Sequence, residues 1–253
     1  MNAESEMQNA EVVREFFNQW ALYRKVVDAN YLFHREAMAS LSAWLDGRVV
    51  RSFLDLGCGD ASFTTEVLAG RGVERYRAVD LSPVALDLAR ENARRLGGGR
   101  ELICGDFFEE VPRMVNMSDV VYIGLSLHHL PNDQKAEFFR SVVGCVAGGG
   151  AFVFFEPTLR VGETCDTYMR RFMYLVREDW TSLTPDEIDG VAEHVTKCDF
   201  PETLETYRAM ASEAGFDGGE VIFTDSSELY TMVVFGRSST SGARVSSVAP
   251  SAR

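Results

Sequence analysis

The stretch that decides the fold is Phe53-Leu54-Asp55-Leu56-Gly57-Cys58-Gly59-Asp60, in which an apolar strand runs into a glycine turn. Glycine adopts positive φ and lets a ligand approach the backbone closely. The dinucleotide fingerprint G-x-G-x-x-G is incomplete here, because Ser62 occupies the third glycine position. Asp55 precedes the turn, and a negative charge there suits a ligand with an ammonium group better than a pyrophosphate. The stretch therefore predicts either a ligand-binding turn or a plain tight strand-to-helix turn.

Strand and helix patterns alternate outward from this turn. Short, nearly continuous apolar strands are predicted at 49–56, 76–80, 101–104, 119–125 and 151–155, with helices at 61–69, 82–96 and 132–147. This alternation indicates a parallel sheet that is covered by helices on both faces. Ligands of such sheets bind beyond the carboxyl ends of the strands. We therefore expect the functional residues directly after these strands.

Helical patterns flank the alternating region. Two amphipathic helices are predicted before Gly47, and 160–200 is predicted to be mostly helical. A further helix at 201–214 precedes two closing strands, at 220–224 and 229–235. We therefore divide the chain into an N-terminal helical cap (1–47), a main domain (48–236) with a helical insertion at about 160–200, and a disordered Ser/Ala/Arg-rich tail (237–253).

The composition excludes several classes of protein. The 253 residues carry a formal net charge of −13, and an acidic surface repels nucleic-acid phosphates and anionic membranes. The five cysteines contain no Cys-x-x-Cys pair, which argues against a zinc site and fits a reducing compartment. No run of 18 apolar residues and no signal peptide are visible. We therefore expect a soluble cytoplasmic protein.

Acidic residues follow two more of the predicted strands. Asp80 ends the second strand 23 residues after Gly57, an offset at which an acid accepts hydrogen bonds from ribose hydroxyls. A role at the start of the next helix is the alternative. Asp106 and Phe107 follow the third strand, where they can read the edge of an adenine and cover its ring. The alternative for this pair is a plain turn with a solvated acid.

Taken together, residues 49–156 resemble the class I S-adenosylmethionine-dependent methyltransferases. The matching pieces are 54–59, 78–82, 104–107, 125–131 and 149–154, followed by 214–216. The resemblance implies an α/β fold with a doubly wound, Rossmann-like seven-stranded sheet whose last strand is antiparallel. It also implies S-adenosylmethionine as the cofactor. The methionine part would be held by Asp55 and the turn of Gly57, Cys58 and Gly59, with the Leu125 backbone at its amine. The ribose would be held by Asp80 with Leu81, and the adenine by Asp106 and Phe107.

Within this family the chain looks like the small-molecule branch, because it is short, acidic and without an RNA-binding appendage. In that branch the N-terminal helices and an insertion after the fifth strand close over the acceptor. Tyr23, His34 and Arg35 lie where N-terminal residues reach the cofactor carboxylate. Solvated or core-packed positions are the alternative for each of the three.

Side chains of the acceptor region are predicted from the chemistry of methyl transfer. The reaction is an in-line displacement at a sulfonium methyl, so the protein aligns the nucleophile, excludes water and takes a proton. It demands no metal, and no metal ligand is predicted. His128 and His129 follow the fourth strand and can deprotonate an acceptor, unless they only shape the turn. Tyr168, Phe172 and Trp180 are candidate acceptor contacts, although such a stripe is also typical of a helix core.

We therefore expect an enzyme that methylates a small molecule and releases S-adenosylhomocysteine. We expect a monomer or homodimer without nucleic-acid or membrane partners, and the sequence leaves oxygen, nitrogen, sulfur and carbon acceptors open. One alternative is a noncatalytic cofactor-binding or scaffold subunit, against which the complete motif set argues. The other is a nicotinamide-dependent dehydrogenase, against which Asp55 and the missing third glycine argue.

Overall fold

A seven-stranded sheet forms the centre of the computed structural model, which describes residues 21–114 and 117–239. Its strands are β1 (Ser52–Leu56), β2 (Arg75–Asp80), β3 (Gly99–Cys104), β4 (Ser118–Gly124), β5 (Val146–Leu159), β7 (Asp217–Thr224) and β8 (Tyr230–Gly236). The order is β3-β2-β1-β4-β5-β8-β7, and the two residues of β6 (Glu202–Thr203) pair with the end of β5. The first five strands are parallel, and β8 runs antiparallel between β5 and β7. The predicted fold class, with its antiparallel last strand, is confirmed.

Helices cover both faces of the sheet. They are α1 (residues 21–28), α2 (His34–Leu45), α3 (Ser62–Leu68), α4 (Pro83–Asn92), α5 (Phe107–Glu110), α6 (Asn132–Val142), α7 (Cys165–Asp179), α8 (Pro185–Cys198) and α9 (Leu204–Ala214). Capping residues set the start of two of these helices. Ser82 caps α4 with Pro83 at its first position, and Thr184 forms a capping box at the start of α8. Among residues 21–114 and 117–239, no helix is long and apolar enough to span a bilayer.

Side chains of β1 point alternately to the two faces of the sheet and so contribute to two separate core layers. Phe53 points into a cluster that includes α2, α3 and the α7–α8 region, whereas Leu54 and Leu56 point into a cluster with α6 and α9. All five residues of β1 are buried. A central parallel strand is covered on both faces, which explains why its sequence is nearly continuously apolar.

The N-terminal helices and the insertion after β5 contact each other. Tyr31 stacks on Trp180 with ring centroids 5.0 Å apart, and the Ser182 N–H donates to the Tyr31 hydroxyl over 2.9 Å. Lys25 of α1 pairs with Glu187 of α8 at 2.5 Å. We call α1, α2, α7 and α8 together the cover, because these helices join into one unit.

Some element bounds differ from the prediction. β5 is longer than 151–155, because its end continues to pair with β8 and β6. The short α5 and β6 lie in stretches without a strong periodic pattern. The tail boundary was placed too early, because the Arg237 N–H donates to Gly150 O over 2.9 Å and its guanidinium to Val143 O over 2.7 Å. Residues 1–20, which contain most of the first predicted helix, and residues 240–253 lie outside the described residues.

Candidate active site

The glycine turn after β1 lies at the carboxyl edge of the sheet. Gly57 and Gly59 have φ values of 62° and 54°. A Cβ on Gly57 would lie 2.3 Å from Ser126 Oγ, whereas a Cβ on Gly59 would meet open space. Glycine is therefore required at position 57 for two reasons: its φ is positive, and the loop after β4 approaches it closely.

Asp80 joins this turn to the start of α4. Its Oδ2 accepts the Gly59 N–H over 2.7 Å, and its Oδ1 accepts the Ser82 N–H over 2.8 Å. The N-cap of α4 is Ser82, so Asp80 does not hold that alternative role. Its carboxylate is half-buried at the edge of the turn, where its remaining lone pairs can accept hydrogen bonds from a diol.

Asp55 lies buried beneath the same turn. The hydroxyls of Thr64 and Tyr76 donate to its Oδ2 over 2.5 and 2.6 Å. Burial raises the pKa of Asp55 to about 7, and the charges of Asp80 and Asp60 add to this against the two hydrogen bonds. A cationic group near the turn would favour the charged carboxylate.

The neighbouring edge of β2 and β3 carries apolar surface. Leu81 is 67% exposed directly after Asp80, although it is a large aliphatic residue. Asp106 caps α5 by accepting the Phe108 N–H over 2.8 Å. The half-buried Phe107 packs its ring at 5.6 Å from that of Phe138. This edge can therefore contact a flat ring with Leu81, next to a carboxylate.

Leu125 follows β4 in a conformation that is rare for its type. Its φ is 51°, and its N–H donates to Phe155 O over 2.8 Å. Positive φ is uncommon for residues other than glycine, and residues held in such conformations cluster at ligand sites. The backbone of the β4 loop is thus held in one shape beside the glycine turn.

A second buried carboxylate holds the rest of the β4 loop. Glu156, at the end of β5, is fully buried. Its carboxylate accepts the backbone N–H groups of Ser126, Leu127 and His128 at 2.9, 2.8 and 3.2 Å. Its Oε2 also lies 2.6 Å from His128 Nδ1. Glu156 therefore fixes both the loop and the orientation of one imidazole.

Both predicted histidines face a single aspartate at the end of α8. Asp199 Oδ1 lies 3.6 Å from His128 Nε2 and 3.3 Å from His129 Nδ1. A third histidine, His194 of α8, places Nε2 at 3.9 Å from the same oxygen. Burial opposes protonation of His129, but Asp199 and the Cys198 carbonyl outweigh it and raise the pKa of this imidazole. Burial lowers the pKa of His194, against the charge of Asp199.

Glu156, Asp199 and Lys135 are site residues that sequence reasoning missed. Lys135 is fully buried and donates to the carbonyls of Leu130 and Phe200 over 2.6 and 2.5 Å. It thereby ties the turn after β4 to the segment that follows α8. Burial lowers the pKa of Lys135 to about 8. An acid at the end of an apolar strand was a usable signal for Glu156, whereas no local pattern marked the other two.

The comparisons with known proteins agree with this geometry. The sequence profile of a methyltransferase domain matches residues 53–150. The chain is 39% identical to the release factor glutamine methyltransferase of Bordetella pertussis over 69 residues, or 27% of this chain and 26% of that one. It is 25% identical to the carboxy-S-adenosyl-L-methionine synthase of Campylobacter curvus over 173 residues, or 67% of this chain and 71% of that one. The crystal structure of magnesium protoporphyrin IX methyltransferase from Synechocystis PCC 6803 with bound SAH covers 90% of this chain and 100% of its own, with a TM-score of 0.62 and 15% identity.

The domain match spans the glycine turn, the acid after β2 and the loop after β4, and the sheet has the order that this fold requires. The chain thus carries a methyltransferase domain at residues 53–150 and has the fold of a class I S-adenosylmethionine-dependent methyltransferase. It spans about a quarter of the length of the Bordetella protein and 71% of the Campylobacter protein. Its own reaction and acceptor are therefore taken up below as proposals.

The three predicted N-terminal site residues have different surroundings. Tyr23 is 40% exposed, and partial burial with the charges of Asp60 and Asp80 raises the pKa of its phenol. His34 is buried and stacks on Phe63 at 4.6 Å, and burial lowers its pKa to about 4. The Arg35 guanidinium donates to the Asp28 carbonyl over 3.0 Å, at the turn between α1 and α2. Only Tyr23 and His34 thus lie near the acids of the glycine turn.

The three candidate acceptor contacts lie in the interior of the cover. Tyr168, Phe172 and Trp180 are only 3, 5 and 7% exposed. The Tyr168 hydroxyl donates to Leu229 O over 3.2 Å, and Phe172 packs edge-on against Trp180. These contacts hold the cover on the sheet, and an acceptor contact for these residues stays a prediction.

Proposed function

We propose that this methyltransferase transfers the methyl group of S-adenosylmethionine to a small-molecule acceptor. The observation that carries the proposal is the shared edge of β1, β2 and β4. There the glycine turn touches the β4 loop at Gly57 and Ser126, and the same loop carries His128 and His129. A cofactor held at the turn would therefore have polar groups within a few residues of its reactive end.

The proposed cofactor position follows the order of the strands. The ammonium of the methionine part lies near Asp55 and the Leu125 backbone, and the ribose hydroxyls bond to Asp80. The adenine lies against Leu81, and Asp106 and Phe107 lie on the side of the adenine opposite Leu81. The raised pKa of the buried Asp55 supports the first of these assignments, because a cation is what this carboxylate lacks.

A small acceptor is proposed because the cover leaves little access to a macromolecule. α1, α2, α7 and α8 contact one another and close one side of the carboxyl edge. The net charge of −13 also disfavours a nucleic-acid acceptor. The relatives named above carry different reactions in their names, so none of them supplies the acceptor.

The chemistry that the chain supplies is alignment and activation. As the acceptor atom bonds to the methyl carbon, the sulfur–carbon bond breaks and its electron pair stays on sulfur, which leaves neutral S-adenosylhomocysteine. An acceptor that carries a proton must lose it. We propose that one of the two residues His128 and His129 takes this proton as a general base.

The decisive experiment measures S-adenosylhomocysteine after incubation of the full chain with methyl-labelled cofactor and a metabolite extract. We expect product and label transfer to a small molecule. Cofactor binding without product from any extract would favour the noncatalytic subunit. Calorimetry that detects a nicotinamide cofactor and no S-adenosylmethionine would favour the dehydrogenase.

The ribose assignment predicts the effect of Asp80→Ala. Hydrogen bonds to charged groups contribute about 1.5–3 kcal/mol, so we expect the dissociation constant of S-adenosylhomocysteine to rise by about one to two decades. The matched control is Asp87→Ala on α4, where the carboxylate is exposed and pairs with Arg90. Equal constants for both folded variants would contradict the assignment.

The histidine assignment predicts lower turnover with unchanged cofactor affinity. Removal of a group that activates the acceptor typically costs about 10²–10⁴-fold in rate, so His128→Asn or His129→Asn should fall in this range. The control is Asp189→Asn on the outer part of α8. Full turnover in both histidine variants would leave alignment as the only contribution.

The cellular setting completes the proposal. All five cysteines are free, as expected for a reducing compartment, and we propose that the protein acts in the cytoplasm. We further propose that it acts as a monomer or homodimer without nucleic-acid or membrane partners.

A further inference from the structure

The contacts around Asp199 resemble a metal-binding site more than an ordinary ion pair. We propose that His128, His129 and Asp199 bind a divalent transition-metal ion such as Zn²⁺, with His194 as a fourth ligand. One ligand atom from each of the first three lies within 4.8 Å of the others. Methyl transfer does not require this site, and the sequence predicted no metal ligand.

Two of the distances to Asp199 suit a tetrahedral ion. With bonds of 2.0–2.2 Å, neighbouring ligand atoms of a tetrahedral zinc site are about 3.3–3.6 Å apart. His129 Nδ1 and His128 Nε2 lie 3.3 and 3.6 Å from Asp199 Oδ1. His194 Nε2 is slightly farther, at 3.9 Å, on an exposed side chain that can move inward.

The Asp199 carboxylate, at the centre of the cluster, has an oxygen without a hydrogen bond in the described part of the chain. Asp199 Oδ1 is buried, yet it accepts no hydrogen bond from residues 21–114 or 117–239. Buried polar atoms almost always have a partner, and a buried carboxylate oxygen that three imidazoles surround calls for a cation. An ion among these four side chains would supply it.

Glu156 prepares His128 as a ligand. Its Oε2 lies 2.6 Å from His128 Nδ1, so the proton is held on Nδ1 and the lone pair of Nε2 points to Asp199. A carboxylate behind a metal-binding histidine is the usual arrangement, because it fixes the tautomer and the ring orientation. The three backbone N–H groups that also bond to Glu156 keep this carboxylate in place.

His129 is the adaptable member of the set. Its Nδ1 lies 3.1 Å from Cys198 O as well as near Asp199, and its side chain is 40% exposed. On metal binding this nitrogen would give its lone pair to the ion and leave the carbonyl. Imidazole and carboxylate ligands favour zinc and its first-row neighbours over magnesium or calcium, which prefer oxygen ligands alone.

The position suggests a role that rests on the proposed function. An ion held by His128, His129 and Asp199 would occupy the lone pairs of both histidines, and an acceptor oxygen could take the place of His194, the most distant ligand. It would lower the pKa of an acceptor hydroxyl, whose proton passes to water before the oxygen attacks the methyl. The ion is not oxidised or reduced in this step.

The test measures binding of the metal alone. The full chain, stripped with EDTA and free of cofactor, is titrated with Zn²⁺ by calorimetry, and Co²⁺ reports the geometry through its visible absorption. We expect one ion per chain and the intense absorption of tetrahedral Co²⁺. His128→Asn, Asp199→Asn and the supporting change Glu156→Gln should each weaken binding by about 10–100-fold.

Two sets of controls separate this site from others. Asp189→Asn keeps the cluster intact and should bind as the native chain does. The exposed thiols of Cys165 and Cys198 lie near Asp199 and can bind zinc themselves, so Cys165→Ser and Cys198→Ser should retain the ion. Circular dichroism checks that each variant is folded.

The outcomes are distinct. Binding that is lost in the cysteine variants and kept in Asp199→Asn would overturn the proposal, as would native protein that binds no ion. Metal binding without methyl transfer would overturn only the proposed function. Methyl transfer by the stripped protein, with no metal bound on titration, would overturn only this site.

Discussion

Two regions at the same edge of the sheet each enclose a buried carboxylate, and they differ in what holds it. Asp55 accepts hydrogen bonds from the side-chain hydroxyls of Thr64 and Tyr76. Glu156 accepts them from three consecutive backbone N–H groups of residues 126–128. Backbone donors remain donors at every pH, so they define the shape of the β4 loop. Asp55 is instead balanced between charged and neutral, and it can respond to a ligand.

The largest expected effect is that of Glu156→Gln. The new amide nitrogen cannot accept hydrogen bonds, so backbone donors of the β4 loop would remain buried without a partner. Breaking a buried charged network of this kind costs about 3–5 kcal/mol, and we expect that loss in the free energy of unfolding, measured with urea.

The control for this prediction is Asp55→Asn in the other region. Its amide keeps one acceptor oxygen for the hydroxyls of Thr64 and Tyr76, which can also rotate. At pH 8 we expect it to be no less stable than the native chain. If both variants lost the same free energy, the distinction between the two carboxylates would be wrong.

A smaller effect is expected where the two regions touch. Gly57→Ala places a Cβ 2.3 Å from Ser126 Oγ and also strains a positive φ. Overpacking costs about 1–3 kcal/mol and the left-handed conformation about 1–2 kcal/mol more. Gly59→Ala carries only the strain, because its Cβ meets open space. Thermal unfolding and S-adenosylhomocysteine titration should rank the two in this order.

The double variant Gly57→Ala with Ser126→Gly sharpens this test. It removes the clash and keeps the Ser126 backbone N–H that bonds to Glu156. We expect it to recover to the level of Gly59→Ala. No recovery would show that the approach of the β4 loop is not what requires Gly57.

The same contrast explains how far sequence reasoning reached. The strand–helix alternation, the glycine turn and the acids Asp55 and Asp80 are local in sequence, so short motifs are enough to predict them. The capping box at Thr184 is equally local in sequence. Asp199 comes to the histidines only through the packing of α8, 70 residues after His129 in the chain, and no local pattern reports such a contact.

The contacts of a side chain also show whether it packs in the core, which the residue pattern alone leaves open. The aromatic stripe of α7 was open to two interpretations, and low exposure of Tyr168 and Phe172 reflects its packing on the sheet. His34 was predicted at the cofactor, and its ring packs flat on Phe63. Arg237 was assigned to a disordered tail because it lies in a polar stretch, yet its backbone extends the pairing beside Gly150.

The last effect is specific to the first region: it is the pH dependence of Asp55. Burial raises its pKa to about 7, whereas an aspartate in the unfolded chain titrates near 3.9. Between these values the folded state binds a proton that the unfolded state does not. The stabilisation by the neutral carboxyl is therefore complete below about pH 4 and is lost as the pH rises through 7.

Asp55→Asn should remove this dependence, so the stability of the native chain relative to it should fall by up to about 1.4 kcal/mol per pH unit between pH 4 and 7. Binding of S-adenosylhomocysteine should depend on pH in the opposite direction. Its ammonium favours the charged carboxylate, so binding releases a proton and the affinity for S-adenosylhomocysteine should rise from pH 5.5 to 7.5. Calorimetry in buffers of different ionisation enthalpy measures that proton. If proton release persists in Asp55→Asn, another group releases the proton and the ammonium does not lie at Asp55. The glycine turn would then hold the methionine part without this carboxylate.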